Sequence, residues 1–377
     1  MKIKKLLIVS RAFHPINSPR GNRTTELVKE LCLQGHSVHV ICPIHPEQVN
    51  LIEQYQFGIS SLGPLWPDIP VQLGGSKPLL LRALRRGMLQ LFEYPNIQLK
   101  GRVDKLLRQF KDFDAVISIA APHPIHWGVA SALRKQPTIA RTWIADCGDP
   151  FMGLENDSFR KMPYFAPLER SFCAAADFIT IPNEESKDAY YREYREKIRV
   201  IPQGFKFSDY SFLKELGPTR DGVTRFAYAG LFIPGRRDPR PFLDILLTKN
   251  IDFEFNVYTP DDTLLRKYAA KDARIRLHGF IDRISLLKEL ATMDFLLNFE
   301  YPGRSQTPSK LIDYWLCGRP ILSLQTNHIN EGIIEEFMSG DYHNAFKVEN
   351  PEHFDVANVA HKFDELIEAA LSCKQAS

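Results

Sequence analysis

The residues best suited to chemistry lie late in the chain. The stretch Gln306-Thr307-Pro308-Ser309-Lys310-Leu311-Ile312-Asp313-Tyr314 runs on to Cys317-Gly318-Arg319-Pro320. Proline fits the first turn of a helix and serine is a good cap, so Pro308 and Ser309 mark a helix start. A helix N-terminus presents free N–H groups and a partial positive charge, which together suit an anion such as a phosphate. Lys310 adds a full positive charge there. Asp313 follows one turn later on the same face, where a carboxylate can accept hydrogen bonds from sugar hydroxyls. Gly318 suits the helix end, and the next six residues, Arg319 to Leu324, read as a strand. Taken alone, the same residues also fit a capped helix with an incidental lysine and aspartate, so the surrounding elements must decide.

Length and composition narrow the field. A chain of 377 residues is too long for one ordinary core and predicts two domains. Its 44% hydrophobic and 25% charged residues are those of a water-soluble globular protein. A formal net charge of +3, with no nucleic-acid-reading motif, gives no reason to expect a nucleic acid partner. Six cysteines, Cys32, Cys42, Cys147, Cys173, Cys317 and Cys373, are scattered without a CxxC pair. That pattern predicts reduced thiols in a cytoplasmic protein rather than a disulfide framework or zinc site. The opening Met1-Lys2-Ile3-Lys4-Lys5-Leu6-Leu7-Ile8-Val9-Ser10 reads as a buried strand, since Arg11 ends the apolar run too early for a signal peptide. No run is long enough to span a bilayer.

The elements that must position these residues alternate between strand and helix. A strand over Lys5–Ser10, a loop rich in proline, asparagine and glycine, a helix over Thr24–Gln34 and a strand over Ser37–Cys42 form a βαβ unit, hence a parallel sheet. Further strands are predicted at Asp114–Ala120, Thr138–Ala145, Phe178–Pro182 and Ile198–Pro202, with helices at Ile125–Leu133, Tyr164–Ala175 and Glu184–Tyr194. Gln203–Val223 is poor in aliphatic residues and breaks the pattern. A second alternation follows: strands at Arg225–Ala229, Phe253–Tyr258, Ile275–His278 and Phe295–Phe299, and helices at Pro239–Leu247, Asp262–Ala270 and Ile284–Met293. The lysine-bearing helix and its strand come next, then a last helix over Asp355–Ser372. The fold class is therefore α/β, with a first Rossmann-like domain over 1–204, a linker over 205–223, a second Rossmann-like domain over 224–354, and a terminal helical segment over 355–377 that is expected to pack back on the first domain. In two such sheets ligands bind beyond the strand carboxyl ends, which predicts a cleft between the domains.

In this order and spacing the chain resembles a family 4 glycosyltransferase of the GT-B fold, over nearly its whole length. The first strand with its glycine-containing loop and Gly35-His36-Ser37-Val38 is similar to the family's N-terminus. Trp143-Ile144-Ala145-Asp146-Cys147-Gly148-Asp149-Pro150-Phe151 resembles its Asp-x-x-Asp-Pro-aromatic element. Ala176 to Pro182 and Val200-Ile201-Pro202-Gln203-Gly204-Phe205 match its domain-junction pattern. Tyr228-Ala229-Gly230 with Arg237-Asp238-Pro239 resembles the start of its C-terminal domain. The chain departs from the pattern at one position. Two glutamates separated by seven residues are usual, and alignment on Gly318-Arg319-Pro320 puts Asp313 at the second and Ser305 at the first, with Glu300 five residues too early to replace it.

The resemblance implies a retaining transferase that moves a sugar from a nucleotide-sugar donor to a glycan or lipid-linked acceptor, in surface polysaccharide or glycoconjugate biosynthesis. Breaking the sugar–diphosphate bond builds negative charge on the leaving phosphate, so fixed cations are needed. Arg237 and Lys310 are the residues it assigns, with Arg236 the rival of the first. Ser309, Gly230 and Gly21 would approach the donor phosphates, and Asp313 the ribose. The base would pack near Tyr258 or Phe280. In the first domain the resemblance favours His126 over His123 beside the transferred sugar. Asp149 and Asp146 follow a strand end, where a carboxylate can orient or deprotonate the acceptor hydroxyl, and Asp149 before Pro150 equally suits a helix cap. The Asp-x-Asp metal signature is absent, so no metal cofactor is expected. Residues 77–92 carry leucines at helical spacing with four basic residues, a pattern suited to peripheral contact with the inner face of a membrane. Two other readings stay open: a GT-B sugar-nucleotide epimerase, and a nucleotide-sugar-binding subunit without catalysis, which the serine at 305 permits.

Overall fold

The computed structural model describes residues 2–16, 18–66, 79–153, 161–300 and 309–376. The chain forms two compact units, Met1–Phe205 with His353–Ser377, and Lys206–Glu352.

The first unit is built on seven parallel strands, β1 Lys5–Ser10, β2 Ser37–Cys42, β3 Gly58–Ser61, β4 Phe113–Ala120, β5 Ala140–Cys147, β6 Phe178–Ile181 and β7 Ile198–Val200, in the order β3-β2-β1-β4-β5-β6-β7. Its helices are α1 Pro19–Leu33, α2 Val49–Tyr55, α3 Leu79–Phe92, α4 Gln98–Leu107, α5 Pro124–Lys135 and α6 Ala166–Ala175. Leu6, Leu7, Ile8 and Val9 are all buried, because helices cover both faces of a parallel sheet and its central strands need apolar residues on each. Leu7 and Val9 join one core cluster with α4, α5 and α6, while Leu6 and Ile8 join the other with α1.

The second unit has five parallel strands, β8 Thr224–Ala229, β9 Phe253–Tyr258, β10 Ile275–His278, β11 Phe295–Phe299 and β12 Ile321–Leu324, ordered β10-β9-β8-β11-β12. Its helices are α7 Arg240–Leu246, α8 Arg266–Ala269, α9 Arg283–Ala291, α10 Ser309–Leu316 and α11 Glu331–Met338. Phe226 lies stacked between Phe255 and Phe295, its two neighbours across the sheet, at 4.8 and 4.7 Å. The last helix, α12 Val356–Ala376, returns to the first unit. It buries Val359, Ala360, Phe363 and Ile367, one helical stripe, against α1 and β1 residues. Lys4 holds it from the sheet, donating to Asp364 at 2.5 Å and pairing with Glu368 at 2.6 Å.

Several predicted elements differ in extent, such as the helix over Asp262–Ala270, which is regular only at Arg266–Ala269; three differences have an identifiable contact behind them. Helix α1 begins at Pro19, not Thr24, because the Ser18 hydroxyl caps it by accepting from the Gly21 N–H at 3.0 Å. The helix predicted over Glu184–Tyr194 is two 3-10 turns, Glu184–Ala189 and Arg192–Lys197. Tyr190 between them is extended and buried in the core, and a continuous helix would not deliver its ring there. Residues 206–223 belong to the second unit, where Phe207–Glu215 forms 3-10 turns, Leu213 is buried and Phe207 packs on Trp315 at 4.9 Å. Helices α2, α4 and α11 and strand β3 were not read from the sequence.

Candidate active site

In an open parallel sheet the strand order reverses at one point, and the loops leaving the two strands there diverge to leave a binding crevice. In the second unit that point lies between β8 and β11. Arg237 follows β8, and Lys310 follows β11.

Tyr228, near the end of β8, brings these two cations together. Its ring is buried, stacked on Phe232 at 4.4 Å, and the Lys310 ammonium lies over it at 4.4 Å. The Arg237 guanidinium lies against the Tyr228 hydroxyl, which itself donates to the Leu231 carbonyl at 3.0 Å. Neither cation faces a carboxylate: Lys310 Nζ and Arg237 Nε are buried atoms without hydrogen-bond partners among the described residues. Burial, and secondarily the charge of Arg237, lowers the Lys310 pKa to about 7 from an ordinary value of 10.5. Two unpaired cations side by side in a partly dry setting are unfavourable until an anion joins them. The arrangement is that of an anion site.

The loop that carries Arg237 is fixed in place. Ile233-Pro234-Gly235-Arg236 forms a turn closed by the Arg236 N–H on the Ile233 carbonyl at 3.0 Å, with proline at its second position and Gly235 at φ 71°. The buried Asp238 accepts from the N–H groups of Gly235 and Arg240, each at 3.2 Å, and from the Arg240 guanidinium, which holds its carboxyl below the ordinary range. Its own N–H donates to Thr326 Oγ1 at 3.2 Å. Arg236, the rival, is exposed, whereas Arg237 is half-buried beside Lys310. Gly230 has φ 137°, a backbone state that suits glycine, and donates to the Tyr258 carbonyl at 3.0 Å.

Ser309 opens α10, and Asp313 lies one turn past it. Asp313 pairs with Arg283 at the start of α9. Burial raises its pKa, and Arg283 opposes that shift. Phe280, just beyond β10, is 86% exposed, while Tyr258 is buried and stacked on His278 at 4.6 Å; Phe280 is thus the open ring at this edge. Glu300 accepts from the Gln325 amide at 3.0 Å. Ser305 and Pro308 lie outside the described residues.

The first unit reverses between β1 and β4, and α1 and α5 follow those strands. Gly21 sits in the first turn of α1 rather than in a loop. A Cβ there would stand 2.1 Å from the Ile16 carbonyl oxygen, so close packing accounts for the glycine, and its N–H is already taken by Ser18. His126 is a correction. It is 0% exposed, and both its nitrogens are engaged in the core. Trp143 Nε1 donates to Ser118 Oγ at 2.8 Å, and Ser118 Oγ lies 2.8 Å from His126 Nδ1. His126 Nε2 lies 3.4 Å from Cys147 Sγ, so the ring is held on both sides by core groups. Burial drives the His126 pKa down to about 3, which keeps the ring neutral. Its period on α5 carries it inward, away from any solvent-borne sugar. His123, one turn earlier, is 5% exposed and donates from Nε2 to the Asp149 carbonyl at 2.9 Å. Asp149 itself is exposed just past β5.

Asp146 is buried and fully engaged. It takes Arg23 Nη2 at 2.8 Å, Arg20 Nη1 at 3.3 Å and Thr180 Oγ1 at 2.6 Å. Burial raises its pKa, but the two arginines outweigh that and hold it below the ordinary range. Arg23 also donates to the Ile201 and Pro202 carbonyls, tying β5 to the end of this unit's last strand connection. Arg20 lies flat on Gly148, where a Cβ would come within 2.2 Å of the guanidinium. Sequence reasoning gave no role to Arg20, Arg23 or Arg283, and read Tyr228 only as part of a family-like motif. The pair of arginines three residues apart at the start of α1 was the available signal. Among the described residues, no group of three or more His, Cys, Asp or Glu side chains is placed to hold a metal ion, and no helix is long and apolar enough to cross a membrane.

The chain matches the family model described as Glycosyltransferase Family 4 over residues 21–208. No curated protein matches the sequence. Among solved structures it is similar to the apo form of a lipopolysaccharide outer core galactosyltransferase, WaaB, with 13% identity, 97% of this chain and 99% of that chain covered, and a TM-score of 0.55. A glycosyltransferase from Rickettsia africae gives 13%, 98%, 99% and 0.57 in the same terms. Anabaena HepE in complex with UDP gives 12%, 97%, 100% and 0.58. At such identities the likeness is one of fold, and it joins the family match to the two parallel-sheet units: the chain is a family 4-like glycosyltransferase of the GT-B fold.

Proposed function

We propose that this glycosyltransferase uses a nucleotide-sugar donor, bound by the second unit, and transfers the sugar with retention to a glycan or lipid-linked acceptor in polysaccharide or glycoconjugate assembly. The observation that carries the donor assignment is the pair of cations without carboxylate partners, Lys310 and Arg237, at the strand reversal of the second sheet. A diphosphate supplies the negative charge the pair lacks. The similar HepE structures were solved with UDP and with UDP-glucose, which supports the same ligand class here.

As the sugar–phosphate bond breaks, charge grows on the leaving diphosphate, and Lys310, Arg237 and the N–H groups at the start of α10 stabilise it. The acceptor hydroxyl oxygen bonds to the anomeric carbon on the face the phosphate leaves, and its proton passes to the departing phosphate oxygen. The charges balance without a metal, so none is assigned to the step, and chelation by EDTA should leave turnover unchanged. Gly230 and Ser309 are assigned to the phosphate approach, and Asp313 to the ribose hydroxyls. Phe280 offers its open ring to the base. Asp149, exposed past β5, is the group assigned to orient the acceptor.

A peripheral membrane contact through 77–92 would present lipid-linked acceptors. Leu89, Leu91 and Phe92 at the end of α3 are exposed, as an interfacial helix requires. Flotation with phosphatidylglycerol vesicles tests it, and no flotation would remove this contact. The donor assignment is tested by thermal-shift measurements with UDP-, ADP- and GDP-sugars, since a bound donor raises the melting temperature. A flat response to all of them, with the protein folded, would reject it.

A further inference from the structure

A carboxylate one turn after a lysine on a helix is within reach of it and can pair with it. Here Asp313 and Lys310 have that spacing, yet they do not pair. Lys310 Nζ lies over Tyr228, and Asp313 Oδ1 accepts from Arg283. The other arm of Arg283 donates to the Tyr210 hydroxyl, and the guanidinium lies over the Tyr210 ring at 4.8 Å. Both charged side chains are partly covered, 36% exposed for Arg283 and 21% for Asp313. The start of α9 is itself held, because Asp282 caps it by accepting from the Ser285 N–H at 3.0 Å. Asp313 Oδ2 accepts no hydrogen bond from the described residues.

We propose that Arg283 is a positioning residue for donor binding: it draws Asp313 away from Lys310, which leaves the ammonium open to the diphosphate and turns Oδ2 of the carboxylate toward the ribose diol. This rests on the donor assignment above and adds a residue on a different helix, with Tyr210 from the 206–223 segment as its support. Two consequences follow from the geometry. Removing the guanidinium frees Asp313 to fold back onto Lys310, so diphosphate binding weakens even though Arg283 touches no phosphate. Oδ2 also loses its aim, so the preference for a ribose 2′-hydroxyl falls.

The test measures dissociation constants of UDP, ADP and GDP and of their 2′-deoxy counterparts, together with inorganic pyrophosphate, on the full chain. The wild type should prefer the ribonucleotide about tenfold or more, the range for a hydrogen bond to a charged group. Arg283→Gln should bring that ratio close to one and weaken pyrophosphate about tenfold, with Arg283→Lys between the two. The double variant Arg283→Gln/Asp313→Asn should regain pyrophosphate binding, since no carboxylate then competes for Lys310, without regaining the ribose preference. A merely structural ion pair would shift the melting temperature but leave the ribose ratio untouched. If the wild type discriminates and Arg283→Gln discriminates equally, the inference is overturned and the donor assignment stands. If the wild type binds the nucleotides without discrimination, the ribose role of Asp313 is wrong and the inference with it. If it binds no diphosphate at all, the donor assignment itself fails.

Discussion

Raising the pH from 7 to 9 should weaken nucleotide-sugar binding in a way that reports directly on Lys310. Its pKa of about 7 means that about half of the empty protein carries the charged form at pH 7 and about one molecule in a hundred at pH 9. A bound diphosphate needs the ammonium charged, and it replaces the missing counter-ion, so the bound pKa should return toward 10.5. Binding at pH 9 must then take up nearly one proton, against about half a proton at pH 7. The affinity should fall about 50-fold across this interval, or about 2.3 kcal/mol. The diphosphate has no ionisation of its own in the window, and the uracil or guanine ionisation that begins at its upper end is common to the wild type and Lys310→Met, so the difference between the two proteins belongs to Lys310. Titration calorimetry with UDP-glucose, or with whichever ADP- or GDP-sugar raises the melting temperature most, in two buffers of different ionisation enthalpy reads the uptake. Lys310→Met should remove both the uptake and the pH dependence and bind at the wild-type pH 9 level or below. The empty protein carries the converse signature. The folded pKa lies below the unfolded value, so unfolding takes up a proton between pH about 7 and about 10.5, and this residue's contribution to stability rises with pH across that range. A donor affinity that stays constant from pH 7 to 9, with no proton uptake, would refute the placement of Lys310 on the diphosphate.

Three other outcomes are expected. Arg237→Ala should lower kcat/KM about 100- to 1,000-fold in a donor-turnover assay, the usual loss when one charge-stabilising donor is removed, while Arg236→Ala changes it little. His126→Ala should cost about 2–4 kcal/mol in urea unfolding, by opening a cavity and stranding Ser118, yet kcat of the folded fraction should stay near wild type; a large loss of kcat without a loss of stability would return His126 to the site. Asp146→Asn should destabilise the chain by about 3–5 kcal/mol, because Arg23 is left buried without its counter-charge. Since the folded pKa of Asp146 is depressed, its contribution is present above pH about 4 and lost as pH falls through the folded value, so acid unfolding of the variant should show a shallower pH dependence than the wild type.

The fold was largely legible because parallel strands buried on both faces announce themselves as apolar runs, and β9, β10 and β11 occur with the predicted bounds. What failed were elements fixed by single tertiary contacts. The break at Tyr190 depends on one ring entering the core, and the early start of α1 depends on one serine cap. At the candidate site, Lys310 and Arg237 could be named because charge, helix start and strand order all point to the same edge. Their closeness could not be read, since Tyr228, 82 residues before Lys310, brings them together only in the folded unit. His126 misled because a histidine after a strand end looks the same whether its ring turns outward or, as the Ser118 and Cys147 contacts show, inward. Arg283 carried no signal at all, because its meaning lies in a partner thirty residues away.

The central claim is that donor cleavage depends on the Lys310 and Arg237 pair and retains the sugar's configuration. The most direct measurement is NMR detection of nucleoside diphosphate release and of the product's anomeric signal, with the wild type and Lys310→Ala incubated with UDP-, ADP- and GDP-sugars and a lipid-linked acceptor extract. The account predicts release from at least one donor by the wild type, none above background by Lys310→Ala, and a product with the donor's anomeric configuration. A nucleotide sugar that binds tightly but is never cleaved, or a product of inverted configuration, would contradict it.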